Sequence, residues 1–301
     1  MNAPAAVTAT QSRTPGDVTL TVRRPQFDFS TLPKYWFEGS PWKTHFGTAL
    51  MLVFPSGEDF VVGGVRRYRD RITDARLKQE VARFCGQEGF HSREHDRLNE
   101  FLFSQGYAQL RNIATQQRRS LEWFARVLPH KFQLSLSASI EHLTSSFGHQ
   151  ALAQKDDHVG MHPVVRELLL WHAVEEMEHK SVCFDVDDAM GGSHFMRVLG
   201  LMAIVPMVLL TTWGIFLYLL AADGRLFDLR MWWNEFVKPQ AGNLGRVLRG
   251  RKPAGIMGAL PRDVLLFIRP RFHPWDIDDR HLIAGFRDYD PMRALANGGS
   301  A

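Results

Sequence analysis

The chain has 301 residues, 45% of them hydrophobic and 23% charged. That composition suits one large globular domain or two modest ones and excludes a disordered chain. Two cysteines, Cys85 and Cys183, exclude a disulfide scaffold and fit a reducing, intracellular setting. The net charge is only +4, and no dense basic stretch lies beside stacking aromatics over the first two thirds, so nucleic acid is not an expected partner. The histidine count is the unusual one: thirteen in all, ten of them between His91 and His194.

Residues 1–22 are rich in Ala, Thr, Pro and Ser and hold no apolar run, which reads as a disordered leader and not a secretory signal. Ser40-Pro41 is a helix start, a capping residue followed by proline. A helix over about 42–54 is expected to break at Pro55, with a second over about 58–69. After Thr73, a candidate N-cap, one stripe reads Leu77, Val81, Phe84, Glu88, His91, His95, Leu98, Leu102 and stops at Gly106. Its steps alternate between 4 and 3, which is helical spacing. Further helices are expected over 113–128 and 131–154, the latter carrying Glu141 among Ser137, Ala138, Ser145 and Gly148. A fifth opens at Pro163 with the stripe Val165, Leu169, His172, Glu176, His179, Cys183, Val186 and ends at Gly191-Gly192. Strand-like alternation is nearly absent. The expected fold is all-α: a ferritin-like four-helix bundle over 23–197 with additional helices.

Two of these stripes place ionisable residues where a core should be. Burying a carboxylate or imidazole without a partner costs several kcal/mol, and a metal ion is one such partner. Glu88-Gly89-Phe90-His91 is Glu-x-x-His, and Glu176-Met177-Glu178-His179 repeats it. The spacing puts both side chains of each pair on one helix face. Two such motifs, with one further glutamate from each of two other helices, form the pattern of di-iron and di-manganese carboxylate bundles. Glu58 and Glu141 stand in those places, each on the helix before a motif. The candidate ligands are therefore Glu58, Glu88, His91, Glu141, Glu176 and His179, with Glu88 and Glu176 as the catalytic carboxylates. Alternatives exist for two: Glu58 beside Asp59 at a helix start could complement the helix dipole, and Glu141 beside His142 could face solvent.

His172 lies four residues before Glu176 on the same stripe and adds a third imidazole, either as a ligand or as a hydrogen-bonded core histidine. His95, one turn after His91, is an eighth candidate or a partner that orients a ligand. Glu175 and Glu178 fall off the stripe and read as solvated or supporting residues. Phe84, Phe90, Phe147 and Leu168 are candidate walls of a dry substrate pocket.

The His-x-x-x-Glu-x-x-His spacing at His172, Glu176 and His179 resembles the arylamine N-oxygenase family, which implies a di-iron site with seven protein ligands. The runs from Phe54 to His95, from Trp171 to Val186 (WHAVEEMEHKSVCFDV) and from Phe267 to Asp276 (FIRPRFHPWD) resemble the bacterial family labelled predicted metal-dependent hydrolase, over about residues 24–280. That resemblance implies a metal and a hydrolytic activity. The donor set itself reads as oxygen chemistry: two irons (with manganese or zinc as alternatives), an O₂-activating oxidase or oxygenase, and a small apolar or lipid-like substrate. No flavin or nicotinamide fingerprint is present, so a separate electron-donor reductase is expected. Hydrolysis by a metal-activated water is the alternative reaction. A non-catalytic iron-binding protein is the alternative class.

Residues 198–222 carry no charge, and 25 such residues are long enough to meet a bilayer or to form a deeply buried helix. Residues 223–301 form a basic extension, with 13 Lys and Arg against 9 Asp and Glu, while 1–197 are neutral overall. A basic tail beyond a single span opposes the positive-inside rule for a cytoplasmic bundle. The expected location is therefore cytoplasmic, attached peripherally to the inner face of the cytoplasmic membrane. Trp232, Trp233 and Phe236, then Arg246 to Lys252, then Val264 to Ile268 have an interfacial pattern.

Overall fold

A computed structural model describes residues 11–107, 109–154, 158–250 and 256–296. Among these residues the protein is helical, with no β-sheet and a single isolated bridge between Phe37 and Met161. The expected leader boundary differs from what is seen: Val18 and Leu20 are buried, so the packed chain begins before residue 23, while residues 1–10 lie outside the described residues.

Helix α1 spans Pro41–Arg66, and the Ser40 hydroxyl caps it by accepting from the Lys43 amide at 3.2 Å. The expected break at Pro55 does not occur. Proline lacks the N–H that would bond the Met51 carbonyl, but Met51, Leu52, Val61 and Val65 are buried on either side, and packing carries the helix through. Helix α2 spans Ala75–Ser104, capped by Asp74 and not by Thr73; the Asp74 carboxylate accepts from Leu77 N at 2.7 Å. Gly106, at φ +96°, turns the chain out of it. Helix α3 spans Leu110–Val127 and buries only Leu110, so it lies on the bundle as an outer cover.

Helix α4 spans His130–Ala153 and α5 spans Pro163–His179. Gly148 lets these two approach closely: a Cβ there would sit 3.1 Å from the Ala173 carbonyl and 3.2 Å from the Glu176 Cβ. The expected single helix past Val186 is instead two, because the chain turns at Lys180-Ser181 before α6, Val182–Ala189. There Lys180 Nζ donates to Asp279 and to the Ile277 carbonyl, and the Ser181 hydroxyl donates to Asp185 at 3.0 Å. Such side-chain bonds compete locally with helix continuation.

The apolar segment is α7, His194–Ala222, packed against α1 and α4. Its Asp223 cap gathers Lys34 Nζ, Tyr35 OH, His45 Nε2 and Tyr107 OH within 2.7–3.0 Å, which pins the end of α7 to the N-terminal segment, to α1 and to the turn after α2. Beyond it come α8 (Leu229–Trp232), a π-turn (Trp233–Val237), α9 (Lys238–Leu248), α10 (Ile256–Phe267), α11 (Arg280–Ala284) and α12 (Pro291–Ala296). Trp232 and Phe236 pack on Trp42, whereas Trp233 faces solvent. Phe267 is buried against His142. Arg251 and Lys252 lie outside the described residues.

Candidate metal centre

Four helices converge on one buried cluster. Helix α1 supplies Glu58, α2 supplies Glu88 and His91, α4 supplies Glu141, and α5 supplies His172, Glu176 and His179. All seven are buried, at 5% exposure or less. The helical repeat explains the convergence, since residues three, four and seven apart share one face.

The seven residues fall into overlapping groups. His91 Nδ1 lies 3.6 Å from Glu88 and 3.8 Å from Glu176. His172 Nε2 lies 2.8 Å from Glu176 and 3.8 Å from Glu58. At the other end His179 Nε2 approaches Glu88 at 3.0 Å, Glu141 at 3.3 Å and Glu176 at 3.6 Å. Triads able to converge on one ion are Glu58–Glu88–His91, His91–His172–Glu176, Glu88–Glu176–His179 and Glu58–His95–His172. Glu88 and Glu176 belong to the groups at both ends and so lie between two neighbouring positions.

The buried polar atoms test whether a metal fits. Glu58 Oε1 and Oε2, both Glu88 oxygens, Glu141 Oε2, Glu176 Oε2, His91 Nδ1 and His179 Nε2 have no hydrogen-bond partner. Buried polar groups are normally satisfied. Here the unsatisfied atoms are metal-ligating ones that face a common centre, and a mixed carboxylate and imidazole set suits first-row divalent ions. The donors fit a metal site.

In the metal-free polypeptide, protons and mutual contacts divide the charge. Burial pushes the Glu141 carboxyl up to about 8, helped by Glu176 and Glu88. Burial and the Glu88 carboxylate raise Glu58 well above its usual range. For Glu88 and Glu176 burial acts upward, but the adjacent imidazoles outweigh it and hold both carboxyls low. Burial would lower His91, yet Glu175 and Glu88 hold it up at about 10, and Glu176, Glu141 and Glu88 raise His179 likewise. His172 and His95 are lowered, first by burial and then by neighbouring imidazoles.

Behind the histidines lies a supporting network. His91 Nε2 meets Glu175 Oε2 at 3.0 Å, which leaves Nδ1 for the centre. His179 Nδ1 meets Gln87 Oε1 at 3.0 Å, and Gln87 Nε2 donates to Glu178 Oε2 at 2.8 Å. Arg23 closes the chain: its Nη1 reaches Glu175 at 3.3 Å and its Nη2 reaches Glu178 at 2.8 Å. His172 Nδ1 lies 2.6 Å from His95 Nε2, so His95 backs His172 and also stands within reach of the Glu58 group. Of the two readings of Glu178, solvated or supporting, the contacts match the second, because α5 from Leu170 onward is buried on every side. Arg23 and Gln87 had no sequence signal: the arginine sits in an irregular segment far from both motifs, and Gln87 falls one position before a motif.

The glutamates, unlike the histidines, face a pocket. A cavity of about 610 Å³ is lined by Glu58, Glu88, Glu141 and Glu176 on one side and by mostly apolar residues of α1, α3, α4 and α7 on the others. Of the expected walls only Phe147 lines it. Phe84 packs edge-on against His179 at 4.9 Å, Leu168 sits in the core with Trp171, and Phe90 lies half-buried under Arg93.

No curated protein and no solved structure matches the chain, and the likeness to arylamine N-oxygenases finds no counterpart there. The family model described as predicted metal-dependent hydrolase matches residues 21–278. That span begins just before Arg23 and takes in every candidate ligand. The all-helical chain with its buried Glu/His clusters belongs to the predicted metal-dependent hydrolase family.

Proposed function

We propose that the chain is a two-metal enzyme that oxidises an apolar substrate with O₂. The observation that carries this reading is the donor set: four carboxylates and three imidazoles from four helices, with Glu88 and Glu176 between two positions and a mostly apolar pocket on the carboxylate side. Glu58, Glu88, His91, His172 and Glu176 would hold one ion, and Glu88, Glu141, Glu176 and His179 the other. Such a set suits iron or manganese, and a pair of ferrous ions bound there would supply electrons for O₂. Per turnover the balance is two electrons and two protons beside O₂ and substrate, with one oxygen atom going to substrate and the other to water; the two electrons would be those of the ferrous pair, which must then be restored. A separate reductase would provide the electrons. Amine N-oxygenation is one such reaction, suggested by the third imidazole.

The chain's own part is positional. Glu175 and Gln87 orient His91 and His179, Arg23 keeps Glu175 and Glu178 paired, and the apolar part of the pocket lining would hold an apolar substrate against the carboxylates. An active site of this kind works inside the cytoplasm, where a reductase can reach it.

A second reading is metal-dependent hydrolysis, which the family description favours. A metal-activated water would then attack an ester or amide held in the same pocket. One experiment separates the two: metal analysis of the purified protein, then anaerobic Fe(II) loading and an absorbance trace on adding O₂. Two irons per chain with an oxygen-dependent absorbance transient support oxidation. Stoichiometric zinc or manganese, no response to O₂ and turnover of ester or amide substrates support hydrolysis. Iron uptake with an oxygen response but no turnover of any substrate would leave a metal-binding protein.

A further inference from the structure

Helix α7 has two apolar faces with different surroundings. Ile204, Met207, Val208 and Thr211 line the pocket beside the glutamates. Around the helix from them, on its outer face, Leu199, Met202, Pro206, Leu210 and Leu217 are exposed, Leu210 at 74%. They form one continuous strip, because successive members are three, four or seven apart. From Leu199 to Leu217 the strip runs about 27 Å along the helix. Only 28% of the most apolar stretch of α7 is buried, whereas 67% of that in α1, among the described residues the other helix apolar enough to cross a membrane, is buried. An uncharged strip of this length on a folded surface marks an interaction site.

The partner is indicated by the next segment. Between Leu229 and Leu248 the chain is helical throughout and exposes Leu229, Trp233, Val237, Leu244 and Leu248. The charged residues of that segment are Arg230, Lys238 and Arg246 against Glu235, and Arg249 follows. A helix with exposed aliphatic and Trp side chains and a basic excess suits an anionic lipid surface. The inner face of α7 favours lying along the surface over crossing, since Leu201, Ile204, Ile215, Phe216 and Leu219 are buried against the bundle.

The pocket opens beside this strip. Asn112, Gln116 and Ser120 on α3 line it and are exposed, facing the half-buried Met207, Val208 and Thr211 of α7. Its mouth is thus a cleft between α3 and α7 with a polar rim and apolar walls. That chemistry fits a chain with a polar end and a long hydrocarbon body.

We propose that α7 and the helical segment 229–248 rest in the face of an anionic bilayer, and that the pocket takes a lipid acyl chain from it as substrate. Naming the substrate rests on reading the Glu/His cluster as a catalytic metal centre; the docking surface does not depend on that reading.

The test uses the full-length protein. Co-sedimentation with vesicles of equal parts phosphatidylglycerol and phosphatidylcholine should exceed that with phosphatidylcholine alone and weaken with salt. Leu210→Glu and Lys238→Glu, both at exposed positions, should each reduce it about tenfold with unchanged thermal midpoints. Val208→Trp or Thr211→Trp should block binding of a dansyl-labelled long-chain fatty acid but leave vesicle binding intact. The docking surface is overturned by equal binding to both vesicle types, by no binding to either, or by a dimer that Leu210→Glu dissociates, since a second copy would then cover the strip. Undiminished fatty-acid binding in both tryptophan variants overturns the acyl substrate. Two metals per chain together with any of these negative results would leave the metal centre standing and remove only this inference.

Discussion

His91 Nε2 lies 3.0 Å from Glu175 Oε2, while His91 Nδ1, unsatisfied, faces Glu88 and Glu176. One ring nitrogen is held so that the other is presented. A carboxylate behind a histidine fixes its tautomer and raises its basicity as a ligand. Glu175→Gln should therefore weaken metal binding by about 10–100-fold without preventing it. Competition titration against a chelator of known affinity measures this. An unchanged affinity would mean that Glu175 does not orient His91.

Glu88 and Glu176 each belong to groups at both ends of the cluster. Replacing either by Ala should abolish two-metal binding, whereas Glu141→Ala should leave one ion, because Glu141 approaches only the His179 end. Metal content of the purified variants decides this. Full stoichiometry in both Glu88→Ala and Glu176→Ala would refute the site.

The protonation pattern predicts how stability depends on pH. In the fold the Glu141 carboxyl sits at about 8 against an ordinary 4.5, so its burial becomes increasingly unfavourable as pH rises through that interval. His91, held at about 10 against an ordinary 6.5, contributes stability that is complete below the lower value and is lost as pH climbs towards the upper one. Glu88 and Glu176, held low, are ionised in both states across this window. Above pH 6 Glu141 and His91 thus act with one sign; His172 and His95, lowered in the fold, act the other way only around their ordinary value of 6.5, because well above it they are neutral in both states. The metal-free protein should melt at a lower temperature at pH 9 than at pH 6, and metal uptake at neutral pH should release protons. Scanning calorimetry with and without metal, and proton release in weakly buffered solution, check both. A flat metal-free profile would contradict the protonation pattern.

Asp223 ties four donors together at the end of α7 with a side chain only 4% exposed. Burial opposes its ionisation, but Lys34, Tyr35, His45 and Tyr107 hold the carboxyl down at about 2. Its contribution is present above the ordinary value of 3.8 and lost as pH falls through 2. Asp223→Ala leaves His45 and Tyr107 without their acceptor and should cost roughly 3 kcal/mol. Urea unfolding at pH 7 measures it, with metal content unchanged because the site is elsewhere. A variant as stable as the parent would show that the four contacts are dispensable.

The buried Glu/His cluster was legible from sequence because helical spacing translates directly into shared faces. Glu88 with His91, and Glu176 with His172 and His179, needed no tertiary information. Glu58 and Glu141 followed from chain order, and the structure brings both to the cluster. What spacing does not carry is which faces meet. Spacing left Glu178 open between a solvated and a supporting residue on a helix that buries its whole circumference there, and Arg23 arrives from an irregular segment by a contact 152 residues away in the chain. Pro55 misleads for a related reason: its local preference against helix is real, but the packed residues on both sides override it. The pocket walls were the least legible, since Phe84 and Leu168 are apolar and close to the motifs yet point into the core. The reaction is also not written in the spacing; the family match supports metal dependence and the hydrolytic alternative, and the oxidative reading rests on donor chemistry alone.

The carboxylates face the pocket and the imidazoles lie behind them, so among the described residues the centre is approached from the pocket side. A substrate lying between α3 and α7 would present one of its two sides to the ions and the other to the wall. Where the attacked atom is prochiral, a single-handed product should follow.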